Sequence, residues 1–309
     1  MPEIAYRGRF APSPTGSLHF GSLVAALGSY LDARRLGGEW LIRIEDVDQT
    51  RTLPGAASDM LRVLETFGFE WNGEVAYQSQ RSEAYEAIIR KLQHAGSAYP
   101  CCCSRKAIRE QAEIGVEGAI YPGTCRQGLR HPQRPTSIRL RTPDQPFGFT
   151  DRLLGPHSQN LSREVGDFVI RRVDGFYAYQ LAVVVDDSWQ GITHVVRGAD
   201  LLNSTPRQCY LQEILGLKRP EYLHLPLVSD GQGRKLSKQA RDLPVNPQRP
   251  LDSLLPALGF LGQALPPTRP GSLTEFWQWA IAHWEILDIP TTRSRPVTEY
   301  RTPANNLKG

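Results

Sequence analysis

Residues able to do chemistry gather at five places in this chain of 309 residues. His19 and Gly21 sit at the mouth of an Ala- and Leu-rich run starting at Leu23, just after the turn-forming stretch R-F-A-P-S-P-T-G from Arg9 to Gly16. If that run is helical, its first N–H groups and its dipole favour an anion, and Gly21 lets a ligand approach the backbone. Glu45, Asp46 and Asp48 follow the apolar run W-L-I-R-I, where acids can face an ammonium. A calcium loop is excluded there because the required Gly and distal Glu spacing is absent; a helix cap by Asp48 stays open. Arg197 closes another apolar run and faces the same crevice, with an ion pair to Asp200 as the structural alternative. Lys235 and Lys238 flank Ser237 in D-G-Q-G-R-K-L-S-K-Q, a Gly-punctuated loop able to place two ammonium groups on a polyphosphate, although a basic loop alone is ordinarily solvated surface.

The fifth place is Y-P-C-C-C-S, followed by Cys125 in I-Y-P-G-T-C-R. In an extended segment, residues two apart share a face, so Cys101 and Cys103 can address one ion while Cys102 points away. With Cys125 they make three thiolates of the four donors that structural zinc takes. The fourth is Tyr121, four residues before Cys125, or His131 beyond it. Buried, inert cysteines are the competing reading.

The elements that must position these groups read as an α/β fold. Strands are expected at Ile4 to Phe10 and Glu39 to Ile44, and helices at Leu23 to Leu36, Ala56 to Phe67 and Ser82 to Ala95, from apolar spacing and Pro or Gly punctuation. Alternation of strand and helix favours a doubly wound parallel sheet, and ligands of such sheets bind beyond the carboxyl ends of the strands. From Ala98 to about Tyr179 the texture turns β-rich. The α/β pattern resumes with Leu181 to Val185, an apolar run read as a strand buried on both faces and ending at Asp186 and Asp187. A strand at Thr193 to Val196 and a helix at Thr205 to Leu215 follow, and beyond Gln239 one helix, Leu273 to Trp284, stands between Pro-rich ends. The expected division is a catalytic α/β domain in two halves, 1–97 and 181–240, an insertion at 98–180 and a short helical region at 241–309.

Composition sets few limits beyond these. The chain is 40% hydrophobic and 22% charged, ordinary for a globular protein with a full core, and its net charge of +4 permits a polyanionic partner without demanding one. No run is apolar and long enough to span a bilayer and Met1 to Arg9 lacks a signal-peptide core, so a cytoplasmic protein is expected. Five cysteines, three of them adjacent, suit a metal or thiol site in a reducing compartment better than a disulfide framework.

Two of these places together resemble the signature motifs of class I aminoacyl-tRNA synthetases: His19 to Ser22 the H-I-G-H motif, departing from it at Phe20 and Ser22, and Lys235 to Gln239 the K-M-S-K-S motif, departing at Leu236 and Gln239. The segments R-F-A-P-S-P-T-G, R-I-E-D-V-D and V-V-R-G-A-D-L-L-N-S-T-P-R-Q look like the glutamyl subfamily, and the resemblance extends in blocks from Arg7 to Gln239. It implies a Rossmann-type catalytic domain that activates glutamate with ATP and its magnesium. It also implies that His19, Lys235 and Lys238 stabilise the reacting phosphates, that Gly21, Ser22 and Ser237 complete the ATP site with Gly21 making room for adenine, and that Arg9, Ala11, Ser13, Glu45, Tyr179 and Arg197 line the glutamate pocket. There Glu45 faces the α-ammonium and the arginines face carboxylate, which favours glutamate over glutamine.

After Gln239 only about seventy residues remain, and the anticodon-reading domains of glutamyl-tRNA synthetases are not expected among them. The short chain, the C-x-C and Y-x-x-x-C pattern and K-L-S-K-Q are similar to a truncated branch, the glutamyl-queuosine tRNA(Asp) synthetases. That branch implies glutamate activation without tRNA, transfer to the cyclopentene ring of queuosine at the wobble position of tRNA(Asp), Tyr121 as fourth ligand of a structural zinc, and a monomer. A truncated glutamyl-tRNA synthetase charging a tRNA 3′ end, and a non-catalytic tRNA-binding module, are the other two readings.

Overall fold

The computed structural model describes residues 5–115, 118–230 and 245–296. Strand β1 (Arg7–Phe10) leads through the Pro-rich turn into helix α1 (Phe20–Arg35), and β2 (Glu39–Ile44) returns parallel to β1 with Arg9 opposite Leu41. Helix α2 (Ala56–Thr66) and the short β3 (Ala76–Tyr77), parallel to β2, precede α3 (Ser82–His94). These elements fall where apolar spacing places them, with α1 starting three residues earlier because His19 caps it.

The next segment holds β4 (Ala98–Cys101), α4 (Arg105–Arg109), a minimal hairpin of β5 (Ile114–Gly115) and β6 (Gly118–Ala119), then β7 (Ser137–Leu140), β8 (Pro146–Asp151), β9 (Gly155–Asn160), α5 (Leu161–Glu164) and β10 (Phe168–Arg171). Strands β4, β7 and β10 form an antiparallel sheet with β7 in the middle. The β8–β9 hairpin does not join it. It pairs instead with the second half of the α/β sheet, where Asp151 lies opposite Tyr222.

That second half follows α6 (Tyr179–Trp189) and comprises β11 (His194–Gly198), α7 (Thr205–Leu215), β12 (Glu221–Leu225) and β13 (Leu227–Ser229). Strands β11 and β12 are parallel, and Thr193 N–H donates to the Arg7 carbonyl at 2.9 Å, setting the head of β11 beside β1. The strand order therefore runs outward from a switch point between β1 and β11. Successive residues of the strands point into different cores: Trp40, Ile42, Val196 and Leu223 pack with α1, whereas Leu41, Val195 and Tyr222 meet Cys209 of α7. This two-sided burial is the doubly wound arrangement expected from the sequence.

Two expectations fail. The run Leu181 to Val185 is the middle of helix α6, not a strand. It is buried all round against α3, β10 and α7, so it lacks the polar stripe that marks an amphipathic helix, and five apolar residues alone do not separate the two states. The usable signal was its length, with neither Gly nor Pro from Tyr179 until Gly191, whose positive φ of 65° ends it. The second failure is α8 (Leu251–Phe260), in a stretch read as a Pro-rich end; Pro256 lies inside the helix. An interior proline costs about 3 kcal/mol. Burial of Leu254, Leu255, Leu258 and Phe260 beside α1 offsets this, at roughly 1.5–3 kcal/mol per large apolar side chain.

Helix α9 (Leu273–Ala282) appears as expected, two residues shorter, and β14 (Ser294–Pro296) lies parallel to β13. Gly262 connects α8 to this part of the chain at a φ of 74°, where an added Cβ would meet the Asp288 carbonyl at 2.1 Å. Left-handed strain and a backbone clash then act together. Gly262→Ala should lower the unfolding free energy by at least about 2 kcal/mol in urea titrations; a loss of under half that would show that this corner yields freely.

Candidate active site

The carboxyl ends of β1 and β11 open into a cavity of about 610 Å³, lined by Arg9, Ala11, Ser13, His19, Gly21, Ser22, Glu45, Tyr179 and Arg197 among others. Every residue expected for ATP or glutamate that belongs to the described part of the chain is in this lining. Lys235, Ser237 and Lys238 lie outside the described residues. The turn of residues 11–17 is held over the sheet by backbone bonds from Glu45 N–H to the Pro12 carbonyl and from Leu53 N–H to the Pro14 carbonyl, both 2.9 Å.

His19 takes an extended backbone conformation and caps α1. Its Nδ1 accepts from Ser22 N–H at 3.3 Å, which leaves the ring proton on Nε2, 3.0 Å from the Ser22 hydroxyl. A Cβ at Gly21 would stand 3.2 Å from the His19 ring, so the glycine accommodates the imidazole as well as opening the cavity wall. No acid occupies the first turn of α1, which leaves its dipole to whatever enters the cavity.

On the facing wall, Arg9 donates from Nε to Asp187 at 3.1 Å, and Arg43 donates to the same carboxylate oxygen at 2.8 Å. Arg43 also reaches Gln190 at 2.7 Å and Glu45 at 3.3 Å, and its side chain is fully buried. Burial works against the Asp187 charge, but the two guanidinia outweigh it and hold the carboxyl below its usual range. At Glu45 burial prevails over Arg43 and Arg9, and the carboxyl is pushed up. Among the described residues, the Nη groups of Arg9 have no protein hydrogen-bond partner, so that edge is open to a ligand.

Arg197 is held by neutral groups. Its Nε donates to His224 Nε2 at 3.1 Å, its Nη2 to Thr205 and Gln208 at 2.8 Å each, and its Nη1 to the Tyr179 hydroxyl at 3.4 Å. The other acids of the region have separate tasks. Asp46 accepts from Ser79 N–H and hydroxyl, Asp48 binds Arg172 and Thr50 instead of capping a helix, and Asp186 anchors Gln78, Arg81 and Tyr85.

Sequence reasoning passed over Arg43, Asp187 and His224. A charged residue inside a buried strand was the available signal for Arg43, since residues 43 and 45 share a face at the strand period of two. The Asp187 role was hidden by the strand reading of α6.

The cysteine cluster lies outside the cavity lining. The sulfurs of Cys101, Cys103 and Cys125 lie within 4.8 Å of one another, and Cys103 is 3.6 Å from Cys125. The Tyr121 hydroxyl stands 3.2 Å from Cys101 and 3.7 Å from Cys103, and accepts from Cys125 N–H at 2.9 Å. Tetrahedral zinc with arms of about 2.3 Å sets its sulfurs roughly 3.8 Å apart, so this donor set fits the ion. His131 is exposed and donates nothing to the group. Cys102 does not point fully away as the alternation argument requires: its sulfur is 3.8 Å from Cys125, because the extended strand ends at Cys101. Burial opposes the Cys125 thiolate, yet surrounding donors, including the backbone N–H groups of Cys102 and Arg130, bring its pKa down to about 7.

Residues 5–250 match the family model of class I tRNA synthetases for glutamate and glutamine, catalytic domain. The chain is 52% identical over 290 residues to a glutamyl-Q tRNA(Asp) synthetase of Chromobacterium violaceum, covering 94% of this chain and 97% of that one. A glutamyl-Q tRNA(Asp) synthetase of Dechloromonas aromatica is 54% identical, with coverages of 92% and 96%. Among solved structures, the glutamate-tRNA synthetase of Elizabethkingia anophelis superposes with a TM-score of 0.79 at 25% identity, over 94% of this chain and 68% of that one. A glutamate tRNA ligase of Elizabethkingia meningosepticum in complex with its amino acid gives 0.78 at 26% identity, over 96% and 67%.

Arg43→Met would leave Asp187 and Glu45 buried with Arg9 as their remaining guanidinium neighbour, and should lower the unfolding free energy at pH 7 by roughly 3–5 kcal/mol. The Asp187 contribution is present above the ordinary carboxylate pKa and is lost as pH falls through the depressed folded value. The gap between wild type and variant should therefore narrow on acidification from pH 7 to pH 3, and a constant gap in urea titrations would contradict this account.

Proposed function

Because the chain belongs to the class I tRNA synthetases for glutamate and glutamine, we propose that it activates L-glutamate with ATP without needing tRNA and passes the glutamyl group to the queuosine of tRNA(Asp). In the first step the α-carboxylate of glutamate attacks the α-phosphorus of ATP, and pyrophosphate leaves with the electrons of the broken P–O bond. In the second, a hydroxyl of the queuosine cyclopentene ring attacks the adenylate carbonyl, and AMP leaves.

The observation that carries the amino-acid assignment is the charge pattern of the cavity wall: the open edge of Arg9 and the neutrally held Arg197 suit carboxylate, and Glu45 suits the α-ammonium. Tyr179, Ala11 and Ser13 complete that pocket. An amide in place of the side-chain carboxylate would leave a buried guanidinium uncompensated, which disfavours glutamine. ATP is assigned to the α1 side of the same cavity, with its phosphates at the helix N-terminus beside His19, Gly21 and Ser22. Lys235, Ser237 and Lys238 complete that site, and magnesium arrives with ATP. Stabilisation of charge growing on the α-phosphate is the work assigned to His19 and the two lysines.

Residues 98–180 are assigned as an insertion carrying a structural zinc held by Cys101, Cys103, Tyr121 and Cys125, with 241–309 as a short helical region. When bound, the ion would crosslink the end of β4 to the 121–125 turn. Arg139 supports such a site, donating to Cys101 at 3.3 Å and lying 3.9 Å over the Tyr121 ring. Compatibility with a cytoplasmic, monomeric enzyme follows from the same reading; no helix among the described residues is long and apolar enough to cross a membrane.

Labelled glutamate should become attached to tRNA(Asp) bearing queuosine and not to the same tRNA lacking it, and the attachment should survive periodate oxidation of the 3′-terminal diol. Loss of labelling after 3′ oxidation alone would favour charging of the 3′ end. Protein purified without added zinc should carry close to one equivalent by metal analysis, and Cys125→Ser should lose most of it; a trace of zinc in the wild type would remove the site.

A further inference from the structure

Arg197 and Arg9 are both buried cations on one wall, but they are held in opposite ways. Asp187 accepts from Arg9 and offsets its charge. The groups that hydrogen-bond to Arg197 are an imidazole, a hydroxyl, an amide and a phenol, and its guanidinium lies 5.3 Å over the Tyr222 ring; none of these is anionic. A carboxylate does lie one step farther out: His224 Nδ1 is 2.7 Å from Asp151. The imidazole separates the two charges.

The hydrogen bonds settle the tautomer. Arginine Nε can only donate, so His224 Nε2 accepts and the ring proton resides on Nδ1, donated to Asp151. Asp151 also accepts from the backbone N–H groups of Leu153, Leu154 and His224 at 3.0, 2.9 and 3.3 Å, so its charge is spread over local donors. Burial brings the His224 pKa down to about 4, and the ring is neutral at neutral pH. A second neutral chain runs from Gln208, whose amide donates to Gln180 at 2.9 Å, and from Gln180 to Ser204 at 3.0 Å. Both Nη2 hydrogens and the Nε hydrogen of Arg197 are thereby used, leaving Nη1, which meets only the Tyr179 hydroxyl at 3.4 Å, to face the cavity.

We propose that Asp151, His224 and Gln208 are positioning residues that lock Arg197 through uncharged acceptors, so that its guanidinium keeps an unoffset charge for a carboxylate of the amino acid. This rests on the glutamate reading given above. Its physical content is that the cage fixes direction without spending charge: a carboxylate in the same place would hold the guanidinium equally well and remove the reason for glutamate to bind.

Gln208→Glu makes that exchange with almost no change of shape. In glutamate-dependent pyrophosphate exchange by the full chain, it should raise the KM for glutamate about tenfold or more while the KM for ATP moves less than about twofold, a difference of about 1.4 kcal/mol on the amino acid alone. Gln208→Met, which loses the hydrogen bond and adds no charge, should raise the glutamate KM less. His224→Gln, with an amide oxygen able to accept from Nε, should recover part of what His224→Leu loses. Equal effects of Gln208→Glu and Gln208→Met, or parallel rises in both KM values, would overturn the proposal, and Gln208→Glu decides it alone where a His224 variant does not fold. A wild-type chain without glutamate-dependent exchange would instead overturn the glutamate reading itself.

Discussion

Asp187 shared between Arg9 and Arg43 is the interaction on which the wall of the cavity depends. The three residues come from β1, β2 and α6, separated by up to 178 positions in the chain, and each is nearly or wholly buried. Desolvating any one of them alone costs several kcal/mol, so the charges are tolerable only when the two strands and the helix come together in this register. Arg43 then holds Glu45 at the cavity edge. The outcome is a wall with fixed polarity: Glu45 at one end, a compensated Arg9 with its Nη edge open, and Arg197 with its charge unoffset. The proposed substrate, a zwitterion bearing an additional carboxylate, has the charge distribution complementary to this pattern.

Much of this was legible in the sequence, for identifiable reasons. Strand β2 and helices α1, α2, α3 and α7 each show either a period or strong Pro and Gly punctuation, and their ends fall within a few residues of the expected ones. Of the cavity residues, His19, Gly21, Glu45 and Arg197 were legible from their place at the ends of β1, β2 and β11, where a parallel sheet places its ligand, whereas Arg9, Ala11, Ser13, Ser22 and Tyr179 came from the resemblance. The thiol cluster was legible from its spacing, though alternation misplaced Cys102 once the strand ended at Cys101. What was not legible depends on partners far away in the chain. A helix buried on all sides, such as α6, has no amphipathic stripe to read, and α8 keeps its helical state across Pro256 because of the apolar surface of α1. The neutral cage of Arg197 draws on β8, α6, α7 and β12, whose proximity is a property of the fold and not of any local pattern.

The β8–β9 hairpin shows how the segment between the two halves of the α/β sheet is tied in. It lies within the stretch expected to be an insertion, yet it pairs with β12 and supplies Asp151, the carboxylate behind His224. Arg152, next along the chain, reaches back to Asp32 of α1 at 2.6 Å. A hairpin in this segment thus sets the position of a cation in the cavity and braces the helix whose N-terminus opens onto it.

Residues 245–296 pack against α1 and β13. Helices α8 and α9 pack on α1, with Phe260 edge-on to Phe20 at the very start of that helix. Strand β14 runs beside β13, which ends at Ser229, immediately before Asp230 and the stretch that carries Lys235 and Lys238. Arg295 of β14 donates to the Phe260 carbonyl at 2.9 Å, joining those two supports. The helix bearing His19 and the strand leading to the lysines are therefore fixed to one C-terminal unit. The proposed phosphate stabilisation by His19 and the lysines, more than two hundred residues apart, calls for such a common frame, because donors aimed at a transition state act only when held in place before the charge develops.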